Sequence, residues 1–261
     1  MVSSCAGTRN RAQPGHLGDA DGKKQRGWQA HQRPMSKKWN IYGGKDPREL
    51  AAYTVVEAAR YVRIPPQTLR SWVVAHSSTK KTLRPTFGAL IAAPEHSPIR
   101  LSFNNIVEAY TLRALRTKHG VSIVAARQAM DVAQHACRTD RLFLSPELQA
   151  GGGELFLDRY RELVNLTRAG QIAIKHILKD HLARIERDEL DIPVRLYPGD
   201  SHTIMMDARL AFGRPVIARR GISTAAIVDR INAGETEEEV AEDYGLECQE
   251  VKDALVYEQA A

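Results

Sequence analysis

The sequence has little cysteine, no long apolar run and no apolar leader. Its three cysteines, Cys5, Cys137 and Cys248, lie far apart and match no metal-binding or redox spacing. They favour a reducing cytoplasm over a secreted fold held by disulfides. No stretch reaches the roughly 18 consecutive apolar residues that a membrane span needs. The N-terminus also lacks the apolar region of a secretory signal. We therefore expect a cytoplasmic protein that makes no membrane contact.

Motifs of the common catalytic classes are absent as well. The sequence contains no HExxH, GxSxG, Walker loop or GxGxxG. His176 and His181 are not spaced like zinc ligands one helical turn apart, so they do not share a helical face. Three glycines at 151–153 could suggest a phosphate cradle, but no Lys-Ser or Lys-Thr pair follows them. The sequence predicts no enzyme, no metal site and no cofactor.

Charge, by contrast, is plentiful and unevenly distributed. Residues 1–101 carry 17 Lys or Arg against 6 Asp or Glu, and residues 102–219 carry 17 against 14. Residues 220–261 reverse the sign with 3 against 11, although the formal net charge of the whole chain is +6. Such asymmetry indicates a polyanion at one end and a different kind of partner at the other. The alternative is two solvated faces of unlike sign.

Hydrophobic periodicity predicts a mainly α protein with small β elements. We expect an N-terminal winged helix-turn-helix domain and a small C-terminal helical domain that itself resembles a helix-turn-helix. The polar, glycine-rich start indicates disorder. In chain order, the predicted parts are a basic disordered arm (1–52), the winged helix-turn-helix (53–137), a β-hairpin with a long linking helix (138–202) and the C-terminal helical domain (203–258). The predicted hairpin covers "LFLSPELQAGGGELFL" (142–157), with its turn at the three glycines, and the predicted linking helix covers 166–190.

One stretch has an echo near the other end of the chain. The run "TVVEAARYVRIPPQTLRSWV" (54–73) is loosely repeated in "EEVAEDYGLECQEVKDALVY" (238–257). Counted from Ala59 and from Ala241, both place an aliphatic residue five and ten positions on. Each run predicts a short helix, a tight turn and a second helix. A Thr-x-x-Glu capping box precedes each first helix.

The outer face of the second helix in the first run suits DNA recognition. Arg favours guanine, Gln favours adenine and Ser fits either base in a major groove. Neighbouring basic residues, including those of a predicted wing loop within 75–101, suit phosphates. The predicted DNA-contacting residues are Arg63, Gln67, Thr68, Arg70, Ser71, Lys80, Lys81 and Arg84. The alternative is a helical corner of an unrelated fold.

The second run differs in charge. Ten Asp or Glu residues lie between Glu235 and Glu258, against the single base Lys252. A phosphate backbone repels such a surface, so this copy is not expected to bind DNA. A protein interface is the better prediction, and its candidate residues are Glu238, Glu242, Tyr244 and Glu250.

Three segments resemble known families. "YTVVEAARYVRIPPQTLRSWV" (53–73) resembles the MerR-like winged-helix group, with "TLR" and an aromatic residue in the recognition helix. "RLSFNNIVEAYTLRALR" (100–116) resembles the helix after the wing in antitoxins of the VapB type. The last 50 or so residues are similar to a small helical domain of unknown function that accompanies that winged helix. The residues on its recurring positions are Gly213, Pro215, Val216, Gly221, Thr224, Gly234 and Tyr244.

The resemblance implies an antitoxin. Such a protein would bind and neutralise a PIN-domain ribonuclease toxin and repress its own operon by sequence-specific binding to double-stranded promoter DNA. A homodimer is expected, because paired half-sites match operator symmetry. Two departures stand out: Glu247 replaces the small residue that often caps the last helix, and no long tail follows Glu258. The alternatives are a MerR-like transcriptional regulator that responds to a small effector and an interaction adaptor that never meets DNA.

Overall fold

The computed structural model describes residues 43–74, 88–116, 123–145, 148, 151–164 and 168–259. Its helices are α1 (Val55–Tyr61), α2 (Pro66–Val73), α3 (Phe103–Arg116), α4 (Ile123–Cys137), α5 (Gly151–Val164), α6 (Arg168–Leu182), α7 (Thr224–Asn232), α8 (Glu237–Tyr244) and α9 (Cys248–Gln259). Its strands are β1 (Tyr53–Thr54), β2 (Glu95–His96), β3 (Ile99–Leu101), β4 (Ile185–Arg187), β5 (Pro193–Leu196), β6 (Ile204–Asp207) and β7 (Val216–Ile217). The mainly α class with small β elements is confirmed. None of the helices in these ranges is both long enough and apolar enough to cross a membrane.

Both predicted capping boxes are present. The Thr54 hydroxyl accepts from the Glu57 amide at 3.2 Å, and the Glu57 carboxylate accepts from the Thr54 amide at 2.8 Å. Thr236 and Glu239 make the same two bonds at 3.2 and 2.8 Å. Each box satisfies amide groups that a helix start otherwise leaves free, so α1 and α8 begin where the sequence predicts.

The sequence echo extends to the backbone hydrogen bonds of the two turns. After α1, the Ile64 amide donates to the Ala59 carbonyl at 3.0 Å. After α8, the Leu246 amide donates to the Ala241 carbonyl at 2.8 Å. These are the bonds of a Schellman ending, in which the chain turns sharply and is ready to begin another helix. The two helix pairs therefore share a turn as well as a pattern of apolar residues.

A small antiparallel sheet adjoins the first helix pair. Its strand order is β1-β3-β2, with Tyr53 opposite Leu101 and His96 opposite Ile99. The sequence predicts two short strands around a basic loop within 75–101. Strands β2 and β3 do fall in this range, but both follow the basic residues and pair with each other, so the wing stays a prediction. The basic loop predicted to complete a wing falls on 75–87, outside the described residues. Because β1 runs directly into α1, the sheet and the helix pair form one piece.

The hairpin predicted around the three glycines is wrong, because that region forms helix α5. Phe156, Leu157 and Tyr160 are buried at helical spacing, whereas "ELFL" read alone has the residues of a strand. Gly153 fits only because it lacks a side chain: a Cβ there would stand 2.0 Å from the Leu148 carbonyl oxygen. Close approach between backbone segments, rather than a turn, is the reason for this glycine.

The linking helix is shorter than predicted, and the region around it belongs to the main core. Helix α6 ends at Leu182, and the chain then forms β4 and β5, paired through Ile185 and Leu196. One hydrophobic cluster runs from Tyr53 to Ala208, so the predicted division into 53–137 and 138–202 does not separate two cores. The middle of the chain completes the N-terminal domain.

The predicted disordered arm also extended too far, since ordered structure begins before residue 53. Residues 47–49 form a 3-10 turn in which Pro47 and Arg48 are buried. The Arg48 guanidinium bonds to Asp188 at 2.7 Å, and the Asn104 amide bonds to the Glu49 carboxylate at 2.6 Å. These contacts tie residues 47–49 to the core.

The C-terminal unit has a core of its own. Its buried residues are Ile204, Ile217, Ile227, Val240, Ala241, Val251, Ala254 and Tyr257. These residues lie between 204 and 257, inside the segment that the sequence predicts as a separate domain, and the division itself stays a prediction. The unit is nevertheless joined to the rest by a sheet of order β4-β5-β6-β7, in which Arg195 of β5 pairs with Asp207 of β6.

Candidate nucleic-acid interface and acidic surface

Helix α2 carries the predicted base-reading residues. Pro66 opens it, since a proline in the first turn loses no hydrogen bond. Leu69 and Trp72 are buried, which turns Gln67 and Arg70 outward, where both are exposed. Neither exposed side chain makes a hydrogen bond or ion pair within the described part of the chain. Both are therefore available to a ligand.

Two other predicted DNA-contacting residues of α2 point toward the interior of the fold. Thr68 is 9% exposed and belongs to the buried side of the helix. Ser71 is half-buried, and its hydroxyl donates to the Thr68 carbonyl at 2.7 Å. The geometry therefore reduces the predicted base-reading set to Gln67 and Arg70, because a side chain inside the fold does not reach a base edge.

The C-terminal end of α2 is fixed by groups that sequence reasoning missed. Arg127 of α4 is 4% exposed and donates to the Ser71 carbonyl at 2.8 Å. The amides of Leu90 and Ile91 both donate to the Trp72 carbonyl, at 2.8 and 3.1 Å. Burial lowers the pKa of Arg127 from its ordinary value. A cation at this end complements the helix dipole. The only signal for Arg127 is a lone base within the alanine-rich run of α4.

Arg63 lies in the turn between α1 and α2, with a left-handed φ of 52°. Glycine normally fills this position, and it does so in the second turn, where Gly245 has a φ of 62°. The left-handed region costs a residue with a Cβ roughly 1–2 kcal/mol. The Arg63 guanidinium carbon lies 5.2 Å from the centre of the Tyr257 ring, on α9. The predicted phosphate contact thus packs on the C-terminal unit. Three more predicted phosphate contacts, Lys80, Lys81 and Arg84, lie outside the described residues.

Tyr257 also bonds to the first helix pair. Its hydroxyl, in a side chain only 2% exposed, donates to the Tyr61 carbonyl at 3.0 Å, at the end of α1. Burial raises the pKa of Tyr257, which keeps the hydroxyl protonated as a donor. The next carbonyl, that of Val62, accepts from Arg113 at 3.1 Å. Both free carbonyls at this helix end are therefore satisfied from outside the helix.

A buried ionic cluster supports the domain behind α2. Arg141 bonds to Glu108 at 2.8 Å and to Glu49 at 2.8 Å. Burial opposes the charge on Arg141, but the two carboxylates outweigh it and raise the pKa of the guanidinium. Glu108 is 4% exposed and also accepts from the Asn105 amide at 3.0 Å. The cluster joins α3 to the segment after α4.

The four acidic-surface candidates fall into two groups. Glu238 and Glu242 are exposed one turn apart on α8, and within the described ranges their carboxylates have no partner. Glu250 instead pairs with Arg219 at 2.6 Å, and this hydrogen bond helps to lower the pKa of its carboxyl. Tyr244 is half-buried beneath the Arg230 guanidinium, 4.9 Å from its ring centre. Glu238 and Glu242 are thus the two that a partner could reach directly.

Known proteins are similar to the C-terminal unit and to most of the chain. A family described as "Protein of unknown function (DUF433)" matches residues 204–257, which is the C-terminal unit. Over 231 residues the chain is 29% identical to the Mycobacterium tuberculosis protein named "Putative antitoxin VapB45". That alignment covers 79% of this chain and 93% of the relative. The chain resembles a protein named as an antitoxin.

A second curated relative and a solved structure, both from M. tuberculosis, are also similar over most of the chain. The uncharacterised protein Rv2308 is 25% identical over 226 residues, covering 78% of this chain and 89% of its own. The crystal structure of Rv2018 superimposes with a TM-score of 0.59 at 25% identity. It covers 79% of this chain and 98% of Rv2018. The likeness therefore extends well beyond the C-terminal unit.

Proposed function

We propose that this chain is an antitoxin that binds DNA of its own operon through α2 and neutralises a PIN-type ribonuclease toxin. The observation that carries the proposal is the 231-residue similarity to the protein named as an antitoxin, which spans 93% of that relative. The match to DUF433 at 204–257 adds support. In this proposal the chain is a cytoplasmic binding protein without catalytic activity of its own.

The geometry of α2 supports the DNA-binding half of the proposal. Gln67 and Arg70 lie exposed at the second and fifth positions of the eight-residue helix α2, and the N-terminal residues of a recognition helix are those that usually meet base edges. The C-terminal end of the helix is fixed by Arg127 and by the backbone amides of Leu90 and Ile91. Because the backbone of the helix is already fixed, binding needs to order only the two exposed side chains. The β2–β3 hairpin follows the helix pair along the chain and pairs with β1, an order compatible with the proposed winged helix-turn-helix.

The charge of the C-terminal unit supports a protein partner. Residues 220–261 carry 3 bases against 11 acids, which opposes phosphate binding. Glu238 and Glu242 present unpaired charge, so the surface of the partner would be basic. A homodimer fits the first half of the proposal, because two copies of α2 can read two half-sites.

The test is co-expression with the neighbouring reading frame. We expect that frame to arrest growth when expressed alone, and we expect the two products to co-purify and growth to recover when this chain is added. The chain should also retard a duplex carrying its own promoter. A harmless neighbour, or one that never co-purifies with this chain, would refute the antitoxin role.

The size of one cavity bears on the alternative of an effector-responsive regulator. A cavity of about 120 Å³ lies beside Arg127, which holds the end of α2, and is lined among others by Leu90, Asp131 and Arg141. Ligand pockets usually enclose roughly 300–1,000 Å³, so this one would admit little more than a few waters or a small ion. A small molecule that changed operator affinity while the neighbouring frame proved harmless would favour this alternative.

A further inference from the structure

The C-terminal unit contacts the first helix pair at the turn between α1 and α2. Arg63 occupies the left-handed position of that turn, and its guanidinium packs on the Tyr257 ring. The Tyr257 hydroxyl caps the carbonyl of Tyr61, two residues earlier. Beside them, Arg60 pairs with Glu258 at 3.5 Å. The helix α9 thus contacts α1 at its end and the residue that follows it.

The second turn of the chain shows what these contacts replace. There, Gly245 takes the left-handed conformation without a side chain, and Leu246 closes the same backbone hydrogen bond as Ile64. Arg63 has a Cβ atom, which makes the left-handed conformation unfavourable for it. The contact of the Arg63 guanidinium with the Tyr257 ring offsets the free-energy cost of the left-handed backbone. It does so only while α9 packs against the turn.

We propose that Arg63 and Tyr257 form a brace between the two units, which holds the α1–α2 turn in the conformation that presents Gln67 and Arg70. Arg63 is then a positioning residue rather than a phosphate contact. This inference rests on the proposed DNA-binding function. It makes the acidic unit, which does not bind DNA itself, necessary for the shape of the unit that does.

Salt dependence separates the two roles of Arg63. A phosphate contact releases counterions, so its loss reduces the slope of log affinity against log salt by roughly 1. Loss of a brace weakens binding at every salt concentration and leaves the slope unchanged. The experiment is fluorescence-anisotropy titration of the promoter duplex with the full-length chain over a series of KCl concentrations.

The variants are Arg63→Gln, Tyr257→Leu, both together, and Arg63→Lys. We expect Arg63→Gln to weaken operator binding about three- to tenfold, the scale of one partly buried cation–π contact, with the slope unchanged. Arg63→Lys should recover part of the loss. In the Tyr257→Leu background, Arg63→Gln should cost much less, because its partner is already gone. Tyr257→Phe, which keeps the ring, guards against misfolding of the leucine variant.

Arg138 supplies the matched control. It is another arginine with a φ of 52° at a helix end, but it is exposed and packs on no aromatic ring among the described residues. Arg138→Gln should leave operator binding unchanged. A slope that falls by about 1 with Arg63→Gln, together with an equal loss in the Tyr257→Leu background, would overturn the brace and restore the phosphate contact.

If the unmodified chain binds no promoter DNA, the proposed function fails and the brace is tested separately. Urea unfolding of the unmodified chain, the two single variants and the double variant then gives the coupling between Arg63→Gln and Tyr257→Leu. A coupling clearly above zero supports the brace, and additive effects overturn it.

Discussion

The Tyr53 hydroxyl donates to the Phe212 carbonyl at 2.9 Å, across 159 positions of sequence. Tyr53 is 1% exposed, whereas the Phe212 side chain is 65% exposed and its backbone is left-handed, with a φ of 55°. Gly213, at a φ of 71°, packs directly on Tyr53. The bond therefore fastens a strained loop of the C-terminal unit to the start of α1.

Gly213→Ala should destabilise the protein by roughly 1–3 kcal/mol, through left-handed strain and overpacking together. A Cβ at this position would lie 2.0 Å from the Tyr53 hydroxyl oxygen. Gly234→Ala is the matched control, since Gly234 has a φ of 102° and no atom within 4 Å of a Cβ. Urea unfolding measures both. Equal losses would mean that the contact with Tyr53 contributes nothing.

Arg70→Ala should weaken operator binding by about 1–3 kcal/mol and relax its sequence preference, because we propose that this exposed arginine of α2 contacts a base. Lys81→Ala, predicted to contact phosphate, should instead weaken all duplexes alike and reduce the salt slope. Binding titrations on operator and scrambled duplexes distinguish them. Unchanged affinity and preference in Arg70→Ala would remove α2 from the proposed interface.

Arg141→Leu should cost roughly 3–5 kcal/mol of stability, because it leaves the buried carboxylate of Glu108 without its partner. Adding Glu108→Gln should recover part of the loss. Arg159→Ala breaks an exposed pair with Glu162 and should cost less than about 0.5 kcal/mol. Chemical denaturation compares the three. If Arg141→Leu behaved like Arg159→Ala, the cluster would have no structural role.

Stability should fall on the acid side through Asp207. Burial opposes the charge on its carboxyl, but hydrogen bonds from Arg209 and Arg195 hold its pKa below the ordinary value. A depressed folded-state pKa gives stability that is present above the unfolded pKa of about 3.9 and lost as pH falls through the folded value. Asp207→Asn should therefore flatten the pH dependence of unfolding below about pH 5. Asp229→Asn, at an exposed carboxyl, should leave it as steep as before.

Glu238→Lys with Glu242→Lys should weaken co-purification of the proposed toxin with the full-length chain and leave operator affinity intact, since both side chains are exposed and pair with no residue that the structure describes. Glu250→Lys serves as the contrast. It breaks the ion pair with Arg219 and should lower the melting temperature instead. Undiminished co-purification of the double variant would move the partner to another surface.

Local signals in the sequence predict the ends of the elements well. The capping residues Thr54 and Thr236 placed two helix starts, and the spacing from Ala59 and Ala241 found both turns, because these features involve neighbours within one or two turns. The signal failed at "ELFL", where four residues suit either a strand or a helix and only the packing of Phe156 on the core decides. Propensity yields to tertiary contacts in such short runs.

The candidate site shows the same contrast between local signals, which the sequence contains, and long-range contacts, which it does not. Helical periodicity correctly predicted that Gln67 and Arg70 are exposed. It could not find Arg127 or Tyr257, which reach the helix pair from 56 and 196 positions away along the chain. Nor does any local rule show that Arg63 faces a distant ring. Long-range partners leave no spacing pattern in a single sequence.

The pairing of β5 with β6 limits how the protein can be cut for experiment. A fragment beginning near residue 203 keeps the C-terminal core but loses Arg195, the partner of Asp207, and with it the strand that covers β6. Its unpaired backbone amides and carbonyls would form an open edge, and open edges recruit other strands. Self-association of that fragment would therefore reflect the strand edge that truncation exposes, and it would not show how the full-length chain associates. A fragment that begins before β4 keeps this edge covered and is the one whose oligomeric state is informative.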